Sequence, residues 1–222
     1  MSKGKLIVIE GLDGSGKATQ TALLTKALGD KGVQLKQVSF PDYNNPSSSL
    51  VKMYLNGELG GSPDDVNAYA ASSFYAVDRY ASYKKYWQGD YNNGKVIIAD
   101  RYSTSNAIYQ LSKVVVEKRD EFLQWLQDYE YNCMGLPKPD MVIYLDMPLE
   151  VSQKLLTQRY NGNEDKKDLH ESNFRFLEQC RESAIYSADK MNWKIVSCAE
   201  NGNPRTIESI HSDIINIINN VL

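Results

Sequence analysis

The sequence predicts an α/β fold, one parallel sheet of five strands with helices on both of its faces. Three observations carry that expectation. Short apolar runs recur at Leu6-Ile7-Val8-Ile9, Val96-Ile97-Ile98-Ala99 and Met141-Val142-Ile143-Tyr144-Leu145, and Trp193-Lys194-Ile195-Val196 repeats the theme; continuous runs of this length mark strands buried on both faces. Helix-patterned segments separate them, and strand–helix alternation implies parallel pairing through right-handed crossovers. A glycine-rich turn joins the first strand directly to the first helix, and sheets of this kind bind ligands beyond the carboxyl ends of their strands.

The elements follow in order. The first strand lies between Lys5 and Glu10, and the helix over 17–29 has apolar spacing at Ala22, Leu23, Leu24, Ala27 and Leu28. Residues 33–40, Val-Gln-Leu-Lys-Gln-Val-Ser-Phe, alternate and predict an edge strand. Further helices are expected over 64–88, 104–133, 148–159, 171–190 and 204–221, several opened by Ser, Thr, Asp or Pro. Residues 161–167, Asn-Gly-Asn-Glu-Asp-Lys-Lys, form the most polar loop between two helices and predict a lid at about 160–170. No proline-rich or low-complexity stretch divides the 222 residues, so residues 1–222 read as one domain.

Composition excludes several classes. Lys plus Arg total 25 against 28 Asp plus Glu, a net charge of −3, which supplies no positive field for a polyanion, so nucleic acid is not an expected partner. Cys133, Cys180 and Cys198 are odd in number and lack C-x-x-C spacing, against both a disulfide framework and a zinc site. The apolar run before Glu10 is too short for a signal segment and no later run approaches a membrane span, so a cytoplasmic protein without membrane contact is expected. His170 and His211 read as surface groups, too scattered for a proton relay.

Residues 11–20 read Gly-Leu-Asp-Gly-Ser-Gly-Lys-Ala-Thr-Gln, the G-x-x-x-x-G-K pattern of a P-loop NTPase-type fold. Its position between a buried strand and a helix aims backbone N–H groups and the positive helix end at phosphates. Gly11, Asp13, Gly14, Ser15, Gly16, Lys17, Ala18 and Thr19 make up this cradle, with Lys17 bridging the outer phosphates. Ala18 departs from the pattern: the motif places Ser or Thr there to put a hydroxyl on Mg²⁺. Thr19 sits one residue farther round the helix. Mg²⁺ retains waters and binds through substrate phosphates and one or two carboxylates, and Asp100, ending the strand Val-Ile-Ile-Ala, is the carboxylate in position to hold a metal-bound water; a structural buried Asp is the competing reading.

Groups for a second substrate gather at strand ends: Phe40-Pro41-Asp42-Tyr43, Tyr75-Ala76-Val77-Asp78-Arg79 and Asp100-Arg101-Tyr102. Tyr75 and Arg79 lie four apart on one helix, where an aromatic face and a guanidinium can stack on a base and hydrogen-bond its edge; singly, each is equally well a core tyrosine or a paired helix charge. With these residues in hand, GLDGSGKATQ, FPDY, YAVDR, DRYSTSNAIY and KPDMVIYLDMPLEV, in this order over nearly the whole chain, resemble the thymidylate kinase family. That resemblance implies ATP with Mg²⁺ as donor and dTMP as acceptor, giving dTDP, with dUMP a weaker acceptor. It implies that Asp13 binds the deoxyribose 3′-hydroxyl, Tyr43 and Arg101 the acceptor phosphate, Tyr75 the thymine face and Arg79 its O4. Ser105 and Asn106 would read the rest of the base edge and Tyr109 would close the space beside C2′. It also implies a homodimer through helices near the acceptor site.

Two departures matter. Many family members carry an Arg after the loop's acidic residue as a finger on the transferred phosphoryl, where this chain has Gly14. Members without it bring basic residues from the lid, for which Arg159, Lys166 and Lys167 are available; Ala18 is the second departure. Transfer between phosphates needs no side-chain nucleophile or general base, in keeping with the scarcity of histidine. Two other readings stay open. A deoxynucleoside kinase would need a carboxylate base, for which Glu10 is available, yet FPDY and Arg101 would then surround an acceptor lacking a phosphate. A nucleotide-binding regulator weakened by the lost hydroxyl at position 18 is the other; the chain has no Asn-Lys-x-Asp segment for reading guanine.

Overall fold

The computed structural model describes residues 3–159, 169–171 and 173–219. Strands β1 (Leu6–Gly11), β2 (Leu35–Ser39), β3 (Val96–Asp100), β4 (Met141–Asp146) and β5 (Lys194–Ser197) form one sheet. All pairs are parallel, in the order β2-β3-β1-β4-β5. The alternating segment forms β2 at one edge, as its half-polar pattern predicts. A short antiparallel hairpin, β6 (Ala199–Glu200) and β7 (Asn203–Pro204), follows β5.

Nine α-helices are described: α1 (Lys17–Asp30), α2 (Ser49–Leu55), α3 (Ala68–Ser82), α4 (Gln88–Asn92), α5 (Asn106–Tyr109), α6 (Arg119–Gln127), α7 (Leu149–Arg159), α8 (Phe174–Lys190) and α9 (Ile207–Ile218). The period-2 geometry of a strand sends alternate side chains to opposite faces, and β1 divides accordingly. Leu6 and Val8 join a core with residues of α5, α6 and α8, while Ile7 and Ile9 join a second core with Leu24 and Leu28 of α1 and Ile210, Ile214 and Ile218 of α9. All four strand residues are fully buried. Hence helices cover both faces, and a continuous apolar run is what such a strand requires.

Two expected helices are interrupted. The segment expected over 64–88 starts at Ala68, capped by Asn67, whose Oδ1 accepts the Ala70 N–H at 2.9 Å, and a π-helical turn over Tyr83–Trp87 separates α3 from α4. The segment expected over 104–133 is not one helix. After α5 and a 3₁₀ turn, Val114 takes extended backbone and Val115 leaves the helical region as well, with ψ of 146°, consistent with the stiff χ1 of consecutive β-branched side chains; α6 then runs on into a π-helical turn over Asp128–Cys133. That last turn matters, because it carries Glu130 under the site.

β1 is flanked by β3 on one side and β4 on the other, so chain connections leave its carboxyl end in opposite directions and open a crevice there. Ile9 lies in register with Asp100 and Gly11 with Leu145. The fully buried Leu24 locks α1, and with it the loop before it, onto the sheet. Leu24→Ala should lower unfolding free energy by about 2–5 kcal/mol, measured by urea denaturation.

Candidate active site

The turn from β1 into α1 is built by backbone conformation. Gly14 and Gly16 adopt φ of +79° and +88°, left-handed values that side chains other than glycine take at a cost. Gly16 caps α1, whose first turn contains no acidic residue, so its positive end is left for an anion. Ser15 is buried, and its hydroxyl has no partner among the described residues. Lys17 is buried as well; its Nζ donates to the Leu12 carbonyl at 2.9 Å and lies 3.6 Å from Asp13 Oδ1. Burial and the neighbouring Arg101 push the Lys17 ammonium below its ordinary range, opposed by Asp13, Asp100 and Glu10. Ala18 and Thr19 are both exposed.

Gly14 also explains one departure from the expected pattern. A Cβ there would stand 2.7 Å from the Ser152 carbonyl oxygen and 3.1 Å from Leu156 Cγ. Helix α7 rests directly on the loop at this point and leaves no room for a side chain. The available lid cations fare differently: Arg159 closes α7 and is exposed, whereas Lys166, Lys167 and most of the expected lid lie outside the described residues.

Beside the loop opens a cleft with a volume of about 80 Å³. Asp13, Tyr43, Tyr75, Arg79, Arg101, Ser105, Asn106 and Tyr109 all line it; the structure thus gathers every residue assigned to the second substrate from four separate segments. Arg101 binds across the strands: its Nη2 donates to Asp13 Oδ1 and, at 3.1 Å, to the Tyr109 hydroxyl, while Nη1 donates to the Gly11 carbonyl at 3.3 Å. Tyr109 in turn donates to Asp13 Oδ2 at 3.0 Å. Burial alone would raise the Asp13 carboxyl, but Arg101 and Lys17 hold it well below the usual carboxylate range, so it is ionised at working pH. Tyr43 is half exposed at the rim. Buried Asp78 pins the loop bearing it, accepting from the Asp42 N–H at 2.8 Å and Ser47 Oγ at 2.7 Å.

The base end of the cleft holds surprises for a sequence reading. Arg79 is buried and paired with Glu130: Nε donates to Oε2 at 2.7 Å and Nη2 to Oε1. Its Nη1 reaches the Tyr102 carbonyl at 3.4 Å. Asn106 Nδ2 donates to the Ser72 carbonyl at 3.2 Å and to Glu130 at 3.1 Å. The Ser105 hydroxyl donates to Glu10, leaving only its lone pairs for the cleft. Tyr75 meets Tyr54 edge-to-face at 6.4 Å, which helps fix its ring. Glu10 is fully buried and is not among the cleft-lining residues, so it is not placed to deprotonate a hydroxyl there.

His170 corrects the expectation of a surface group. It is buried, lines the cleft, stacks on Tyr109 at 5.4 Å with the rings 13° apart, and its Nε2 lies 2.8 Å from the Tyr54 hydroxyl. Burial, reinforced by Lys113, lowers its pKa to about 3, so it is neutral at working pH. His211 is partly buried on α9 rather than freely exposed, and burial lowers it too. Gln110 was not singled out by sequence. It is fully buried, lines the cleft, and neither atom of its amide has a partner among the described residues. The signal available was its place directly after Tyr109 in DRYSTSNAIYQ; Glu130, 51 residues from its partner Arg79, had none.

Comparison with known proteins agrees with this geometry. The family model described as thymidylate kinase matches residues 9–214. The chain is 30% identical over 217 residues to a probable thymidylate kinase of Thermococcus gammatolerans, covering 97% of this chain and 96% of that protein. It is 31% identical over 202 residues to the thymidylate kinase of Prochlorococcus marinus, covering 90% of each. A solved thymidylate kinase structure from Candida albicans superposes with a TM-score of 0.71 at 24% identity, covering 99% of this chain and 93% of that one; at this identity the likeness speaks for the fold.

The packing of α7 on the loop yields an expected outcome. Gly14→Arg should lower unfolding free energy by about 1–3 kcal/mol from backbone strain alone and should not raise the rate of any phosphoryl transfer. Urea denaturation and a turnover assay check this, and a faster, equally stable variant would contradict it.

Proposed function

This chain belongs to the thymidylate kinase family, phosphorylating dTMP to dTDP at the expense of ATP, and from that premise we propose how its own residues accomplish the transfer. The observation that carries the proposal is the contact between Asp13, a residue of the phosphate loop, and Arg101, a residue of the acceptor cleft. It supports a reading in which the two phosphate sites lie side by side.

Lys17 and the loop amides hold the donor phosphates, and Arg101 with Tyr43 holds the acceptor phosphate. A dTMP phosphate oxygen attacks the γ-phosphorus, the bond from that phosphorus to the β-bridging oxygen breaks, and ADP leaves with the electron pair. The attacking oxygen is already anionic, so positioning and charge neutralisation suffice. Neutral, stacked His170 takes no proton in this scheme. Asp13, held ionised, accepts from the 3′-hydroxyl, and Tyr109, braced by His170, fills the space beside C2′. Tyr75 stacks on thymine; Arg79, Asn106 and Gln110 read its edge, Gln110 contributing one donor and one acceptor to a base that presents both. The adenine site is proposed at the β6–β7 hairpin, the Cys198–Asn203 region, which leads into α9; the first residue of that helix, Ile207, accepts a hydrogen bond at its carbonyl from Gln20 Nε2 of α1 at 2.9 Å.

The residues fit Mg²⁺ carried on the triphosphate better than an ion gripped by the protein. Position 18 offers a methyl, Thr19 is exposed one residue on, and Asp100 is near enough to Lys17 to support its charge. Asp100 would hold the ion through a water. When bound, Mg²⁺ neutralises the phosphate oxygens around the transferred group. Arg159, Lys166 and Lys167 are the cations proposed to substitute for the finger missing at Gly14. We further infer a single-domain cytoplasmic homodimer; exposed Val77 and Tyr80 on α3 support a contact through that helix.

ADP release should be fast with dTMP, slower with dUMP, and near background with dCMP, dGMP and thymidine; activity confined to thymidine would favour a nucleoside kinase, and none with any acceptor a regulator. Asp100→Ala should cost about 10–100-fold in turnover, whereas Ala18→Ser should modestly lower the Mg²⁺ concentration needed for half-maximal rate. Equal effects from both, or none from the first, would contradict the metal assignment.

A further inference from the structure

Glu10 is a fully buried carboxylate that the transfer scheme leaves unused. Glu10 lies near the end of β1, in register with Tyr144 of β4. Burial pushes its carboxyl up, with Arg101 opposing. An ionic group in such a place is expensive unless its lone pairs are satisfied. Among the described residues, its side-chain hydrogen bonds come from one short segment. Oε1 accepts from the Tyr102 N–H at 3.1 Å, from Thr104 Oγ1 at 2.7 Å and from Ser105 Oγ at 2.9 Å; Oε2 takes Ser105 Oγ at 3.0 Å. This segment links β3 to α5 and begins with Arg101.

Arg101 itself is backbone-strained. Its φ is +66°, in the left-handed region where a residue with a Cβ persists only when its surroundings over-determine it. The constraints are visible on either side. The Arg101 N–H donates to the Ile9 carbonyl at 3.1 Å, and the next N–H, that of Tyr102, donates to Glu10. Two consecutive residues of β1 therefore clamp two consecutive amides of the loop. In this conformation the guanidinium turns back across the sheet to Gly11, Asp13 and Tyr109.

We propose that Glu10 is a positioning residue for the acceptor phosphate: its carboxylate fixes the Arg101–Ser105 loop and thereby aims the Arg101 guanidinium into the cleft. By accepting the hydrogen bond from the Ser105 hydroxyl it also makes that serine an anchor of the loop rather than a donor to the base. This inference rests on the reading of the cleft as the acceptor site. A purely structural buried carboxylate would affect stability, or both substrates together. A positioning carboxylate affects the acceptor alone.

Steady-state kinetics separate these. The acceptor is dTMP, or whichever deoxynucleoside monophosphate the unaltered enzyme turns over best, so that failure with dTMP overturns the substrate reading without obscuring the Glu10 result. Glu10→Ala should raise the acceptor KM by about tenfold or more, the size expected for hydrogen bonds to a charged group, with the ATP KM within about twofold. Glu10→Gln keeps an acceptor oxygen for Tyr102 and Thr104 and should restore most of the acceptor KM. Thr104→Val removes one donor without changing shape, and should raise the acceptor KM about threefold even where Glu10→Ala fails to fold. Parallel rises in both KM values, or an unchanged acceptor KM in Glu10→Ala, or in Thr104→Val where the alanine variant is not recoverable, would overturn the proposal.

Discussion

One strand, β1, constrains almost everything else in this molecule. It is hydrogen-bonded along both edges and buried on both faces, so its direction and the point at which it ends have no freedom. At that end the chain must turn out of the sheet with small residues in left-handed conformations, and the helix that follows aims its amino end at the crevice. The neighbouring strand β3 ends at the same level because Ile9 and Asp100 share a register position. Side chains far apart in sequence then meet with no long loop to order, and the cleft follows from sheet geometry rather than from a pocket carved separately.

The charges of the site form a compact knot, with Glu10 and Lys17 buried and Asp13 and Arg101 partly so. Asp13 and Glu10 face Lys17 and Arg101, and each cation is supported by more than one carboxylate. Arg79 and Glu130 make a second, independent pair. Ions of this kind add little stability as pairs and are destabilising when halved; their value lies in fixed orientation, since the carboxylate oxygens of Glu10, Asp13 and Glu130 and the terminal guanidinium nitrogens of Arg79 and Arg101 have defined partners. In the proposed scheme, incoming phosphates enter a site whose cations are already in place, which is the preorganisation that phosphoryl transfer requires.

Much of this architecture was legible in the sequence because local rules and the fold agree. The five strands announce themselves through apolar runs or alternation, and the phosphate loop through glycines whose φ values only glycine takes easily. Tyr43, Tyr75, Arg79 and Arg101 could be associated with one cleft because strand ends and helical spacing place them together. The rest depended on contacts between distant segments. Glu130 reaches Arg79 only because a π-helical turn follows α6, and no periodicity in 104–133 signals where the helix breaks. His170 is buried by Tyr54, Tyr109 and Phe176, from three different helices, so its isolation in the sequence suggested exposure where packing gives the opposite. Gln110 has only its place after Tyr109 as a sequence signal; its significance lies in an amide without a partner among the described residues.

Among the three tryptophans, Trp87 has a distinctive position. Its indole is fully buried and lies edge-on to Tyr102, 6.2 Å between ring centroids at 68°, and Tyr102 is the residue next to Arg101. An indole's emission responds to the polarity and dipoles around it, so this fluorophore samples the β3–α5 connection from beneath, out of reach of aqueous quenchers. The protein therefore carries an intrinsic optical gauge at the backbone segment that holds Arg101.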